Sequence, residues 1–283
     1  MVGHVRAASS YQPVESGTGT ARDTYRFLHI TDAHLLLCDE DETQERIDYA
    51  APRIRFFGKD GIPTERRLSA LLAYAAQLQS ALSGVLLTGD ILDFPSERNR
   101  SFLRQALADL PVPCFYVPGN HDWAYFDDYQ TAHAQVAFRP LFGEFCDGNT
   151  FVHKRRIGEL TLVGVDNGRE MYEDGVAETL AEALSGERHV LLLQHIPLCA
   201  AALHEPTMAY WGGQDLNIGK QGKHKNEHWK AVRQLITAPD SPVRAVLAGH
   251  LHFFHTDLLD GRVPQIVTAF AADGSATLLT VHG

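Results

Sequence analysis

"VLAGHLHFFH", residues 246–255, sets three histidines within six positions directly behind a run of small apolar residues. A short apolar run bounded by turn residues reads as a buried strand, so His250, His252 and His255 fall where a strand gives way to a loop. Fifteen histidines occur in 283 residues, and three of them at one strand end decide nothing alone. What matters is whether other strand ends carry groups of the same kind.

Four others do. "FLHI" runs into "TDAH", with Asp32 and His34, and "GVLLT" runs into "GDILD", with Asp90. "CFYVP" runs into "GNHD", with Asn120, His121 and Asp122, while "HVLLLQ" ends at His195. Sites in α/β sheets are built at the carboxyl ends of the strands, where loops and helix N-termini converge. Carboxylates, an amide and imidazoles without a thiolate form a set suited to Mn²⁺, Fe, Zn²⁺, Co²⁺ or Ni²⁺ rather than to a structural cysteine-type zinc site. Seven such groups are too many for one tetrahedral ion and suit two ions that share a bridging carboxylate. Paired ions ~3.5–4 Å apart clamp the attacking and leaving oxygens of displacement at phosphorus.

Between the apolar runs lie segments of helical period. "TERRLSALLAYAAQLQSA" (64–81) reads as an amphipathic helix opening on a Thr cap, and "SERNRSFLRQALADL" (96–110) as a second capped helix. "FVHKRRIGELTLVGVD" (151–166) reads as a hairpin, and "NEHWKAVRQLIT" (226–237) as a helix ahead of "VRAVLAG". Strands alternating with helices predict an α/β chain. Two long connections, 35–63 with the acidic run "CDEDETQE" and 200–226 with "YWGGQDLNIGKQGKHKN", read as functional or mobile loops.

Composition bounds the rest. With 45% hydrophobic and 21% charged residues the chain has the makings of a sizeable core. Its net charge of −10 argues against a general nucleic-acid binder, because no broad basic field draws in a phosphate backbone. A small phosphate ester stays open to it, since bound cations reverse the local field. Cys38, Cys114, Cys146 and Cys199 are scattered without a C-x-x-C pair, which reads as reduced thiols and a cytoplasmic setting. No apolar run approaches the ~18 residues of a membrane span. Residues 1–24, rich in Ser, Gly and Thr, read as a loose lead-in to a single domain over 25–283.

The ordered set D-x-H (Asp32, His34), G-D (Asp90), G-N-H-D (Asn120, His121, Asp122), a lone His after a strand (His195) and G-H-x-H (His250, His252) resembles the signature of the calcineurin-like metallophosphoesterases, from about residue 25 to 252. That resemblance implies a four-layer α/β/β/α sandwich of two mixed β-sheets flanked by helices, with a two-metal centre of Mn, Fe or Zn at one end. Position by position, Asp32, His34 and His252 would hold the first metal, Asn120, His195 and His250 the second, and Asp90 would bridge them. The implied reaction is hydrolysis of a small-molecule phosphate ester by in-line attack of a metal-bridging hydroxide. His121 would protonate the leaving oxygen, and Asp122 would orient its imidazole.

Spacing and length are similar to the bacterial cyclic-nucleotide phosphodiesterase branch, which makes a phosphodiester the first expectation. The chain departs from that branch at Gln194-His195-Ile196-Pro197, where a His-His-Pro run is common. The same centre would serve a phosphomonoesterase or protein phosphatase, while a non-catalytic scaffold would be expected to lose ligands, and no motif position is missing. Outside the motifs, His255 reads as surface or structural, and His29 as a satisfied core histidine. Asp93 reads as an acid supporting the site or capping a helix. The acidic run and Lys220, Lys223, His224 and Lys225 read as solvated, and Tyr210 and Trp211 as a rim that meets substrate.

Overall fold

The computed structural model describes residues 2–6, 24–126, 131–216, 218 and 227–282. Its apolar runs are the strands of two sheets. Strands β1 (Val2–Arg6), β2 (Thr24–Ile30), β3 (Gly84–Thr88) and β4 (Cys114–Val117) join the last strand, β11 (Ser275–His282), in the order β1-β11-β2-β3-β4. The second sheet holds β5 (Val152–Ile157), β6 (Leu160–Val165), β7 (Val190–Leu193), β8 (Val243–Ala248), β9 (His255–Leu259) and β10 (Val263–Val267), in the order β5-β6-β7-β8-β10-β9. Both sheets are mixed. β2, β3 and β4 run parallel, as do β6, β7, β8 and β10, while β11, β1, β5 and β9 pair antiparallel with their neighbours.

Period-two alternation sorts side chains between layers. Phe27, Leu86, Phe115 and Val117 of the first sheet meet Leu160, Leu162, Leu191, Leu193 and Leu247 of the second, forming the layer between the sheets. Their neighbours Leu28, Ile30, Val85, Leu87 and Tyr116 face the other way, onto helices. There helix α2, after α1 (Gln44–Phe57), covers the first sheet: α2 (Thr64–Gln77) buries Leu68, Leu71, Leu72 and Ala75, the i, i+3, i+4, i+7 stripe of an amphipathic helix. Each such leucine contributes on the order of 2 kcal/mol by leaving water. α3 (Glu97–Ala108) adds Leu103, and α4 (Ala132–Ala137) adds Ala134. On the far face, α5 (Val176–Leu184), α6 (Ala201–Tyr210) and α7 (Glu227–Thr237) bury Leu180, Leu203 and Val232 against Val163, Leu192 and Val246. The architecture is the expected four-layer α/β/β/α sandwich.

Local readings differ in places. Ser96 caps α3 as expected, its Oγ accepting from Asn99 N at 3.1 Å. Pro63, not Thr64, precedes α2, and no side chain caps that helix. The 35–63 connection is not a bare loop, because Thr43 caps α1 within it. Val2–Arg6 pairs with Ser275–Leu279 of β11, so those five residues of the expected loose lead-in are a strand; residues 7–23 lie outside the described residues. No helix among the described residues is long and apolar enough to cross a membrane.

Candidate metal centre

Parallel pairing brings the strand ends to one edge and carries on past the strands themselves. After β2 and β3, Asp32 N donates to Gly89 O at 2.9 Å and His34 N to Asp90 O at 3.0 Å. In the second sheet Gly249 N donates to His195 O at 2.9 Å, and His250 N crosses to the first sheet, donating to Asp32 Oδ2 at 2.9 Å. Turning each chain abruptly at this edge requires unusual backbone. Asp32, His34, Asp90, His250 and His252 all have positive φ, and they are five of the nine such non-glycine residues among those described. Strain of this kind, ~1–3 kcal/mol per residue, persists where surrounding structure enforces it, and it clusters at functional sites. The glycines ahead of the ligand-type residues admit the same crowding. A Cβ on Gly249 would overlap Thr31 Oγ1, and one on Gly119 would overlap Asp90 Oδ1.

Six of the seven expected ligands converge, and the seventh, Asn120, lines the same cavity. Asp32, His34 and His252 present one ligand-type atom each within 4.8 Å of one another, as do Asp90, His195 and His250. A third overlapping group, His34, Asp90 and His121, joins them. His34 and His252 bring their Nε2 atoms to 3.1 Å, and His195 Nε2 lies 3.1 Å from Asp90 Oδ2. Two imidazoles are locked from behind. His34 Nδ1 donates to Asp93 Oδ1 at 2.8 Å, and His195 Nδ1 donates to Thr88 O at 2.7 Å. Each bond orients its ring so that Nε2 faces inward, as a ligating histidine requires. Asn120 Oδ1 is buried without a hydrogen-bond partner, and Asp32 Oδ1 and His195 Nε2 face other ligand-type atoms, His252 Nε2 at 3.3 Å and Asp90 Oδ2 at 3.1 Å. A buried polar atom is seldom left so, and ligand-type atoms crowded together in this way fit a pair of metal ions.

Electrostatics agrees with that fit. Burial pushes Asp32 up, yet His252 close by and the charge of His195 carry it down to about 2. Asp90 is held well below the ordinary carboxylate range against its burial, chiefly by His195 and His121. Burial works against charge on His195, but Asp90 outweighs it and raises the imidazole to about 10. Two buried anions therefore call for positive charge at this edge. His34 and His250, depressed by burial to about 4 and about 3, stay neutral and available as ligands.

Asp122 is not where a partner for His121 would stand. Its carboxylate accepts from three backbone amides, Asp90 N and Gly119 N on Oδ2 at 2.8 and 2.6 Å and Leu92 N on Oδ1 at 2.8 Å. The residue thus braces the two loops that carry Asp90 and Asn120, and the expectation that it orients His121 is corrected. Burial and then the Asp90 charge lift it to about 7, while the Gly119 and Leu92 amides pull the other way. A carboxylate beside His121 is that of Asp93, with Oδ1 3.7 Å from Nδ1. Asp93 is the supporting acid its spacing suggested.

A cavity of about 430 Å³ opens over the edge, lined by His34, Asp90, Asn120, His121, His250 and His252 together with Arg53, Phe56, Phe57, Glu170, Trp211 and Leu216. Arg53, Phe56 and Phe57 come from α1, a helix hidden from a reading of period by its internal Pro52 and its flanking acidic run. The Thr43 cap, with Glu45 in the first turn, was the available signal. Trp211 lines the cavity as expected of the rim, its Nε1 donating to Leu251 O at 3.0 Å, whereas Tyr210 is half exposed and packs on Phe253 outside it. His255 begins β9 with Nε2 3.5 Å from Asp257, away from the centre. His29 is a satisfied core histidine between Thr88 Oγ1 and Thr268 Oγ1 at 2.7 and 2.8 Å. Lys220, Lys223, His224 and Lys225 lie outside the described residues.

The chain is similar to known proteins. Over 239 residues the chain is 25% identical to the 3',5'-cyclic adenosine monophosphate phosphodiesterase CpdA of Haemophilus influenzae, covering 80% of this chain and 69% of that protein. The CpdA of Escherichia coli K12 is 25% identical over 207 residues, and the match spans 69% of this chain and 64% of the relative's length. Among solved structures, a dimetal phosphatase from Danio rerio superposes with a TM-score of 0.54 at 13% identity, covering 91% of this chain and 98% of that one. Purple acid phosphatase PPD1 from yellow lupin seeds gives 0.53 at 11% identity, over 93% and 48%. Both likenesses show the fold. The family model for calcineurin-like phosphoesterases matches residues 25–254. With that match laid over the five strand ends that carry ligand-type residues, the chain belongs to the calcineurin-like phosphoesterase family and is a metal-dependent phosphoric ester hydrolase.

Proposed function

We propose that the chain hydrolyses a small phosphodiester, with a cyclic nucleotide as the first substrate class to test. The observation that carries the reading is the pair of ligand groups, Asp32–His34–His252 and Asp90–His195–His250, opening on one cavity of about 430 Å³. That volume suits a molecule of mononucleotide size, and the CpdA relatives favour a cyclic nucleotide. In this reading Asp32, His34 and His252 would hold one ion and Asn120, His195 and His250 the other, with Asp90 shared by both. Bound there, the ions would supply positive charge against the phosphate and lower the pKa of a water. His121, partly exposed to the cavity, donates the proton that the leaving oxygen takes up. Cys38, Cys114, Cys146 and Cys199 form no disulfide, which supports a reducing, cytoplasmic setting.

The test is a substrate and metal panel on the purified protein. Bis(p-nitrophenyl) phosphate should turn over once Mn²⁺ is added, and 3',5'-cyclic nucleotides should be consumed faster than p-nitrophenyl phosphate. Faster turnover of the monoester would move the function to phosphomonoesterase. No turnover with any divalent ion would sink the catalytic reading.

A further inference from the structure

Outside the seven ligand-type residues the strongest buried charge beside the centre is Asp93, and it is held by a residue from another part of the chain. Arg53 of α1 grips it with a fork, Nε on Oδ2 and Nη2 on Oδ1. The same Oδ1 accepts a hydrogen bond from His34 Nδ1 at 2.8 Å. Asp93 is fully buried, whereas the Arg53 side chain is 25% exposed and lines the cavity. Such an arrangement is unlike a surface ion pair. A buried carboxylate without its partner is costly, and two parallel N–H bonds from a planar guanidinium fix the carboxylate's orientation as well as its charge. Four residues further along α1, Phe57 stacks on His34 with ring centroids 4.4 Å apart and planes inclined at 15°. One helix thus steadies the same imidazole twice, once through Asp93 and once by direct stacking.

We propose that Arg53 is a positioning residue for the metal centre, acting through Asp93 to hold His34 as an Nδ1–H tautomer with Nε2 turned inward. The inference rests on the metal-centre reading above and goes beyond it, because it makes α1 part of the ion-binding apparatus rather than a cover over it. Arg53 touches no ion in this scheme. Its work is to saturate Asp93 so that the acid neither turns away from His34 nor stands unpaired. Groups that support a metal-ligating histidine typically cost 10–100-fold in metal affinity when removed.

Calorimetric titration of the metal-free protein with Mn²⁺ reads this without reference to turnover. Arg53→Met should weaken Mn²⁺ binding about 10–100-fold, and Arg53→Lys should recover part of the loss, since an ammonium keeps the charge and lacks the fork. Asp93→Asn should weaken binding to a similar degree. The double variant Arg53→Met/Asp93→Asn should match Asp93→Asn alone, the non-additivity expected of two residues acting as one unit. At saturating Mn²⁺, Arg53→Met should lower kcat for bis(p-nitrophenyl) phosphate and leave KM in place. Wild-type Mn²⁺ affinity in Arg53→Met with only a lower Tm would overturn the proposal and leave Arg53 a latch for α1. Losses that add in the double variant would overturn it too, by placing Arg53's effect outside Asp93. If Arg53→Met fails to fold, Arg53→Lys and the double variant still decide. Absence of divalent-ion binding in the wild type would remove the metal-centre reading itself, and this inference with it.

Discussion

The backbone amide of His250 donates to Asp32 Oδ2 at 2.9 Å, joining residues 218 positions apart and tying the two sheets at the edge where the ligand-type residues gather. Gly249 makes that contact sterically possible, since a Cβ there would overlap Thr31 Oγ1 and crowd Asp32 Oδ2. Gly249→Ala should therefore destabilise the fold by ~1–3 kcal/mol, the usual cost of overpacking, and weaken Mn²⁺ uptake at the same time. Thermal melts and metal titration check both, and an unchanged pair of values would show slack in the loop that the contacts do not suggest.

Asp90 stands in two of the three overlapping ligand groups. Asp90→Ala should lose metal and activity together, by more than the ~10–100-fold that a supporting residue costs. Metal content after dialysis and turnover of bis(p-nitrophenyl) phosphate are the measurements. Full metal content with full activity would remove Asp90 from the centre.

His121 should separate chemistry from metal binding. His121→Ala is expected to keep its ions and to lose ~10²–10⁴-fold in kcat, the range for a positioned proton donor. A rate close to wild type would take His121 out of the mechanism.

Asp122 should behave as a structural acid. Asp122→Ala leaves three buried amides, Asp90 N, Gly119 N and Leu92 N, without their acceptor, at ~1–3 kcal/mol for each unsatisfied group. Urea unfolding should show a loss of several kcal/mol, larger than for His121→Ala, with Asp122→Asn in between. If Asp122→Ala kept its stability and lost only kcat, the bracing role would be wrong.

His29 makes acid sensitivity predictable. Burial lowers its pKa from 6.5 to about 3, so the folded protein keeps this imidazole neutral while the unfolded chain protonates it. Its contribution to stability is fully present above pH 6.5 and is lost as pH falls from 6.5 toward 3. At pH 5 that amounts to roughly 2 kcal/mol. Urea midpoints at pH 7.5 and pH 5 should draw closer together in His29→Gln than in the wild type, and an equal pH shift in both would refute the assignment.

What could be read from the chain and what could not divides along physical lines. Every ligand-type residue was legible, because each follows an apolar run whose period and length announce a strand, and parallel strands bring their ends to one edge. Period-two and 3.6-residue patterns likewise carried the layers. Adjacency in sequence favours Asp122 as the residue that orients His121, while the turn after β4 sends that carboxylate back onto the amides of Asp90, Leu92 and Gly119. Arg53 went unseen for a related reason. Its importance depends on a bond to Asp93, 40 residues away, and no local pattern encodes a contact made by folding. The left-handed backbone of Asp32, His34, Asp90, His250 and His252 was also invisible, since sequence favours glycine at such angles and these positions hold ligand-type side chains instead.

One consequence of the strand order concerns timing. β11, the last strand of the chain, lies directly beside β2, whose carboxyl end carries Asp32 and His34. As the chain is synthesised, those two residues emerge well before β11, and one edge of their strand stays bare until residues 275–282 follow. Sequence-distant pairing of this kind is slow to form. The first residues of the centre are therefore among the last to be fixed, and a copy truncated ahead of Ser275 would expose β2 as a sticky hydrophobic edge instead of building half an enzyme.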